Sequence, residues 1–367
     1  MILPNTLRRA ALLGLASMLS ACDIVEFATN PAPKFEELWS LPADSTTISV
    51  GTLLPPSVSI FSTPASSPPD SIAFQLAMNL LPVSRRVGDD CSQCQTLNGQ
   101  TTVKPAFVLT SGRTTALPTD VISGALVGGQ VNVQVSNTLS FDPIRVKTGP
   151  GAQGFMLIVL RSGSLVVARD SVNGATTPFA PGTVLLRPLT LQSGVVAASI
   201  TVDLTINSPA GDHNVPIDAS GRVDADAIVQ DFRLAQARIN VTSRPLSSPG
   251  TDSLPLDGLH ESISNSVTAA ALDMTISNPF AIAGIVDVEF GYAPSQAILK
   301  AIDLPNGVDQ VRSVTLDQTE VRTLFGQKVG LGVSGLVSSA GPIDVTPKQV
   351  ITIANRLRLT ILTGGAN

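Results

Sequence analysis

Along much of this chain apolar and polar residues alternate one by one. Val131, Val133 and Val135 alternate with Asn132, Gln134 and Ser136, and Ile200, Val202, Leu204 and Ile206 with Thr201, Asp203 and Thr205. Near the C-terminus Ile351, Ile353, Leu357, Leu359 and Ile361 share one parity, broken only at Asn355. A period of two turns one face of a strand to a core and the other to water, as in antiparallel sandwiches and barrels. Thr47–Leu53 also reads as a strand, and the short apolar run Phe155–Leu160 as a buried one.

Helical patterns are few. Ser71–Leu81, preceded by Asp70 and stopped by Pro82, predicts a short helix. Asp120 and Asp257 read as N-caps, and Leu259, Ile263 and Val267 follow Asp257 at helical spacing. Asp317 with Glu320 reads as a capping box, with Val321, Leu324 and Phe325 on one face and Gly326 as the stop. Asn173-Gly174 and Asn306-Gly307 predict two-residue hairpin turns, since both positions tolerate positive φ. The expected fold is mainly β: tandem antiparallel β-sandwich-like domains with a few short helices.

Composition agrees. Of 367 residues 43% are hydrophobic and only 14% charged, with 29 Gly and 27 Pro to serve many turns. A net charge of −5 without a basic patch argues against nucleic acid as a partner.

A repeat organises the chain. Leu117-Pro118-Thr119-Asp120 returns as Leu254-Pro255-Leu256-Asp257. Ile122-Ser123 precedes Asn137 by the same interval that separates Ile263-Ser264 from Asn278, and 131–137 matches 272–278 in pattern. Further pairs keep the order: Asn173-Gly174 with Asn306-Gly307, Leu189-Thr190-Leu191 with Val314-Thr315-Leu316, and Pro216-Ile217-Asp218 with Pro342-Ile343-Asp344. Phe232-Arg233-Leu234 with Leu357-Arg358-Leu359 closes the series. Shared order over that length predicts two copies of one β-domain, 115–243 and 252–367, joined by the Ser/Pro/Gly-rich linker Ser243–Thr251.

The start of the chain carries an address. Arg8 and Arg9 precede the apolar run Ala10–Met18, too short for an ordinary span, and Leu19-Ser20-Ala21-Cys22 resembles the bacterial lipobox. That resemblance implies an export signal over 1–21, cleavage before Cys22, and acylation of its sulfur with palmitate-type chains, which together anchor a protein firmly. Residues 22–45 then read as a tether and 46–114 as an irregular β-rich region. No apolar run of 18 residues follows, so the expectation is a soluble body held to a membrane at its first residue, in the bacterial envelope, periplasmic or surface-exposed. Asp23 resembles an inner-membrane retention signal, but the rule does not hold across phyla and the leaflet stays open. In an exported chain Cys91-Ser92-Gln93-Cys94 reads as a structural disulfide. Zinc would need two more ligands, and a redox motif a helix N-terminus, whereas this pair sits among Gly, Asp and Asn.

The strand ending in Asn278-Pro279-Phe280 resembles the Asn-Pro element of LEA type 2 (WHy) domains, small antiparallel β-sandwiches found in bacterial lipoproteins and in plants. The resemblance covers the second copy directly and the first through the repeat. It departs from the pattern at Asn137-Thr138, where the proline is missing, and in the leading helical segment.

Chemistry is sparse. Gly330–Gly335 matches G-x-G-x-x-G by letter but lies on an alternating strand with no helix after it, so it lacks the amides that bind a dinucleotide. His213 sits in a turn and His260 on a helix surface, poor partners for a Ser-His-Asp site. Asp224, Asp226 and Asp231 lack the glycine and terminal glutamate of a calcium loop, and Asp287 and Glu289 face outward from a strand. We therefore expect no catalytic residues, metal or cofactor. The expected function is a membrane-anchored, non-enzymatic binding or structural module for protein or polymer. The alternative is a lipid-binding or lipid-transfer protein with an apolar groove.

Overall fold

Alternation becomes antiparallel ladder through the described residues. The computed structural model describes residues 34–62, 72–145, 154–248, 252–259, 261–292 and 296–363. Cys22 and His260 lie outside them. The N-terminal part holds β1 (Phe35–Ser49), β2 (Val58–Ser62), β3 (Ile72–Leu76), β4 (Val83–Arg86), the short helices α1 (Val87–Asp90) and α2 (Ser92–Thr96), and β5 (Thr101–Val103). Next come β6 (Phe107–Ala116), β7 (Val121–Asn137), β8 (Phe155–Ser162), β9 (Leu165–Asn173), β10 (Val184–Thr190), β11 (Gly194–Ala197), β12 (Ser199–Ser208), β13 (Asn214–Pro216) and β14 (Arg222–Ile239). The last part holds β15 (Arg244–Ser247), β16 (Asp252–Leu254), α3 (Glu261–Ser266), β17 (Val267–Asn278), β18 (Ile282–Tyr292), β19 (Gln296–Asp303), β20 (Gly307–Leu316), α4 (Gln318–Leu324), β21 (Val329–Ser339), β22 (Ile343–Val345) and β23 (Val350–Thr363).

These strands build two sandwich-like units with one strand order. In the first, β10-β7-β14-β3-β2 is the main path of an eight-stranded sheet that also takes in β4, β11 and, from the second half of the chain, β22, and β6-β12-β8-β9 forms the other. In the second, β20-β17-β23-β1 forms one and β15-β21-β18-β19 the other. Each unit thus sets a central strand, β7 or β17, between the strand that crosses over from the opposite sheet and the last strand of its own unit. Leu189 pairs with Val131, six residues before Asn137, and Val314 with Leu272, six before Asn278. The apolar parity sets are buried as the pattern predicts: Val131, Val133 and Val135 in the first unit, Leu272, Met274 and Ile276 in the second. The capping box is formed, Asp317 accepting from Thr319 and Glu320 N–H and Glu320 accepting from Asp317 N–H.

Several expectations are corrected. From Phe35 on, the segment read as a tether is the edge strand β1, paired along β23. Pro42 is accommodated because it lies on an edge strand, where a missing N–H costs no ladder bond. At Pro42/Ser45 the register slips, and the skipped partner is Asn355, the residue that broke the parity. Its Nδ2 donates to Asp44 C=O at 2.8 Å. Nor do residues 46–114 form a region apart: β3 and β4 pair β14, and β6 completes the second sheet of the first unit. Within the Ser243–Thr251 linker, Arg244–Ser247 is strand β15, with Pro245 on another edge. Ser71–Leu81 is not a helix. Its described part holds β3, whose apolar side chains find β2 and β14 to pair with, and tertiary pairing outweighs a local helical preference.

Asp120 caps no helix; it precedes β7 and accepts from Arg244 at 2.6 Å. The helix after Asp257 shortens to α3, since Val267 already belongs to β17. Neither Asn-Gly pair makes a two-residue hairpin, because β9→β10 and β19→β20 each change sheets. Gly307, at φ +101°, pairs Asn278; its counterpart is Gly182, at φ +73°, whose N–H reaches Asn137. Gly174 is there for closeness, since a Cβ would stand 1.6 Å from the Ile144 carbonyl oxygen. Arg233 lies opposite Gly128 and Arg358 opposite Ala271, so that matched pair sits two residues out of step.

The two asparagines do the same work. Asn137 Oδ1 accepts from Leu139 N–H at 2.9 Å, and its Nδ2 donates to the Phe141 and Phe179 carbonyls at 3.1 and 2.7 Å. Asn278 Oδ1 accepts from Phe280 N–H at 3.1 Å, and its Nδ2 donates to the Ile282 and Pro305 carbonyls at 3.3 and 3.0 Å. Both are 1% exposed. Replacing either by alanine strands one buried N–H and two carbonyls. The expected cost is about 3 kcal/mol, from roughly 1–3 kcal/mol per stranded group with some relaxation. Urea unfolding of Asn137→Ala and Asn278→Ala measures it, and losses under about 1 kcal/mol would refute the clamp.

Candidate functional site

The frame is shared, but the loops are not. Between β7 and β8 the first unit inserts seventeen residues, 138–154, where the second has three, 279–281, between β17 and β18. The crossing from β9 to β10 takes ten residues, 174–183, against three, 304–306, from β19 to β20. Both added loops sit at the Asn137 end, and there the first unit opens a cleft of about 390 Å³. Its walls include Lys104, Asp142, Arg145, Pro178, His213 and Val215.

Lys104 lies at the base, 4% exposed. Its Nζ donates to Ser208 Oγ at 2.9 Å and to the Pro143 and Asp142 carbonyls at 3.0 and 3.4 Å, with the Phe141 ring centre 5.8 Å away. Burial pulls its pKa down to about 8; the Asp142 carboxylate pulls the other way, and the Arg145 charge adds to the depression. Asp142 is built into the wall, its Oδ1 accepting from Ile144 N–H at 3.0 Å and its Oδ2 from Phe179 N–H at 2.8 Å. At the mouth Asp212 Oδ1, His213 and Arg145 form a chain: 2.8 Å from the carboxylate to Nδ1, then 3.3 Å from Nε2 to the guanidinium. A proton on Nδ1 leaves the Nε2 lone pair to accept from Arg145. The arrangement offers a fixed polar surface in which Lys104 and Arg145 are matched by the carboxylates of Asp142 and Asp212, with no nucleophile beside the imidazole in these contacts.

His213, set aside as a turn residue, is thus part of the cleft. Lys104 and Arg145 carried no signal, since neither belongs to a motif and they lie 41 residues apart in sequence, and only the fold brings them together. Cys91 and Cys94 are buried away from the cleft, with their sulfurs at bonding distance, 1.99 Å. They open the short helix α2, Cys91 Sγ accepting from Cys94 N–H at 3.0 Å, so the pair does sit at a helix start after all. Asp231 pairs with Arg233 at 2.6 Å, and Asp224 accepts from Ser84. Gly330–Gly335 is part of strand β21, and Asp287 and Glu289 point away from the core. Among the described residues no helix is long and apolar enough to cross a membrane.

No protein-family model and no curated protein sequence matches the chain. Solved structures it is similar to include a protein described as secreted from Parabacteroides distasonis, at 9% identity and TM-score 0.30, covering 88% of this chain and 99% of that one. Another is the N-terminal domain of a Streptococcus gordonii adhesin, at 8% identity and TM-score 0.18, covering 90% and 93%. A third is the tandem CBM51 modules of a Streptococcus pneumoniae family 98 glycoside hydrolase, at 8% and 0.17, covering 88% and 99%. At such scores the architecture is read from this chain alone.

Lys104 gives the cleft a pH signature. Its folded pKa lies below the unfolded value of 10.5, so between about 8 and 10.5 the unfolded state binds more protons. Stability then rises with pH across that window, and below it the cost of burying the charge is constant. Wild type should gain thermal stability relative to Lys104→Met as pH goes from 7.5 to 10. Parallel curves of melting temperature against pH would show that the lysine is not held this way.

Proposed function

We propose that this chain is a bacterial envelope lipoprotein, acylated at Cys22, whose first unit carries a non-catalytic binding cleft for an anionic group. The observation that carries this reading is the loop asymmetry between two units with one strand order. Loops borne on a rigid scaffold are where recognition usually resides. In the cleft, Asp142 is engaged by backbone N–H groups and Asp212 by His213, which leaves Arg145 as the outward-facing charge over the buried Lys104. A planar guanidinium suits a carboxylate, sulfate or phosphate on a polymer or protein.

The same lining weighs against the lipid-handling alternative, which wants a continuous apolar groove. We further read the two units as copies of one LEA type 2-like domain. In support stand the common register and the paired asparagines; the missing proline at Thr138 marks the first copy as the divergent one. The second copy, on this reading, is scaffold.

Two measurements test the proposal. Acyl labelling and membrane fractionation should show Cys22→Ala unlabelled and released, and a variant still labelled at wild-type level would end the anchor reading. Calorimetric titration with glucuronate, sulfate and phosphate should give saturable binding for at least one, weakened about tenfold by Arg145→Gln. No saturable binding of any of the three would refute the anion cleft.

A further inference from the structure

The first residues of β1 break the logic of the rest of that strand. From Phe35 to Ser40 both faces are exposed, although the segment is hydrogen-bonded to the end of β23, from Phe35↔Thr363 to Ser40↔Arg358. Three large apolar side chains project from this tip: Phe35 at 59% exposure, Leu38 at 64% and Trp39 at 36%. Phe35 and Trp39 lie on one face and Leu38 on the other, so no slide of register could bury all three against this sheet. Trp39 is the only tryptophan in the chain, and its indole N–H is turned to Glu37 Oε2 at 3.3 Å. Further along, β1 behaves as a strand should: Thr46 and Ile48 are buried, and Thr47 and Ser49 are exposed.

Position says what covers the tip. Phe35 stands thirteen residues after Cys22. Fully extended, thirteen residues span no more than about 45 Å, so a lipidated Cys22 would keep the tip within that distance of the bilayer. Tryptophan and phenylalanine on a short protrusion favour the interface between headgroups and acyl chains, the indole offering an apolar body with a polar edge. Tethering also turns a weak contact into a populated one, because the second encounter becomes intramolecular. We infer that Phe35, Leu38 and Trp39 form a membrane-surface seat that, with the acyl anchor, sets the second unit against the bilayer. This rests on acylation of Cys22. Glu36 and Glu37 outweigh Lys34 beside the tip, which makes a zwitterionic surface the better match, since anionic headgroups would repel the excess negative charge.

Trp39 provides the readout. The acylated full-length mature protein is reconstituted into phosphatidylethanolamine–phosphatidylcholine vesicles, with plain lipids or with lipids brominated on the acyl chains. Mass spectrometry of its N-terminal peptide on the same sample reports acylation. A seated Trp39 loses about half its emission in brominated vesicles relative to plain ones, as an indole at the interface should. The Phe35→Ser/Leu38→Ser variant, still acylated, should lose most of that quenching. Equal emission in both vesicle types from an acylated sample overturns the seat and leaves the anchor standing. An unacylated sample overturns the anchor and the seat with it. Blue-shifted Trp39 emission that rises with protein concentration, without lipid and together with a dimer in light scattering, would assign the tip to a second copy and also overturn the proposal.

Discussion

Each sandwich is closed at one end by a single buried amide. A strand leaving a sheet uncovers N–H and C=O groups where the core still excludes water, and each unpaired group there is costly. Asn137 and Asn278 meet that demand with one short side chain. The carbonyl side receives the N–H two residues on, and the amino side reaches the carbonyl four residues on and the loop crossing between sheets. Aspartate could not donate, and serine could not fill all three contacts at once. Because the clamp fixes both the departing strand and the crossing loop, the chain between its contacts and the next strand can change length without disturbing the ladder. Three residues suffice in the second unit, and seventeen are carried in the first.

The cleft follows from that freedom. Its floor is a lysine that has given up water, and such a group persists only where every donor is used. Lys104 has three acceptors, two of them carbonyls of the inserted loop at Asp142 and Pro143. The loop thus holds the cation while the cation orders the loop. Phe107 stacks edge-on against Phe141, with 6.1 Å between ring centres, and helps close the floor to water. A site assembled this way is rigid before any ligand arrives, which lowers the ordering cost of binding.

Periodicity made the strands and the mainly β class legible, and capping chemistry made α4 legible, because both depend on neighbours in sequence. Asn137 and Asn278 stood out as matched positions, though not as clamps, since the contact that makes each a clamp is to a carbonyl 42 or 27 residues away. Proline and glycine misled most. Pro42 and Pro245 read as tether and linker, yet each lies on an edge strand, where a missing N–H costs nothing. Asn173-Gly174 read as a hairpin because the dipeptide is the same whether a chain folds back or crosses to another sheet. The cleft was hidden for a related reason: Lys104, Arg145 and His213 come from three separate loops, and only packing makes them neighbours.

The pairing of β1 with β23 binds the molecule's beginning to its end, with Asn355 reaching back 311 positions to Asp44. Contacts of that separation form late, since loop closure must precede any gain from the ladder. Until they form, β23 is an open edge beside a hydrophobic core, the kind of surface that pairs with other chains. The finished strand is guarded by Pro42, the bulge and acidic Glu36, Glu37 and Asp44, all of which disfavour another strand along its outer side. Against that guarding the apolar tip is an exception of three residues, too few and on too many faces to extend a sheet. An edge protected against other strands, ending in side chains suited to an interface, is shaped to meet a surface rather than another strand.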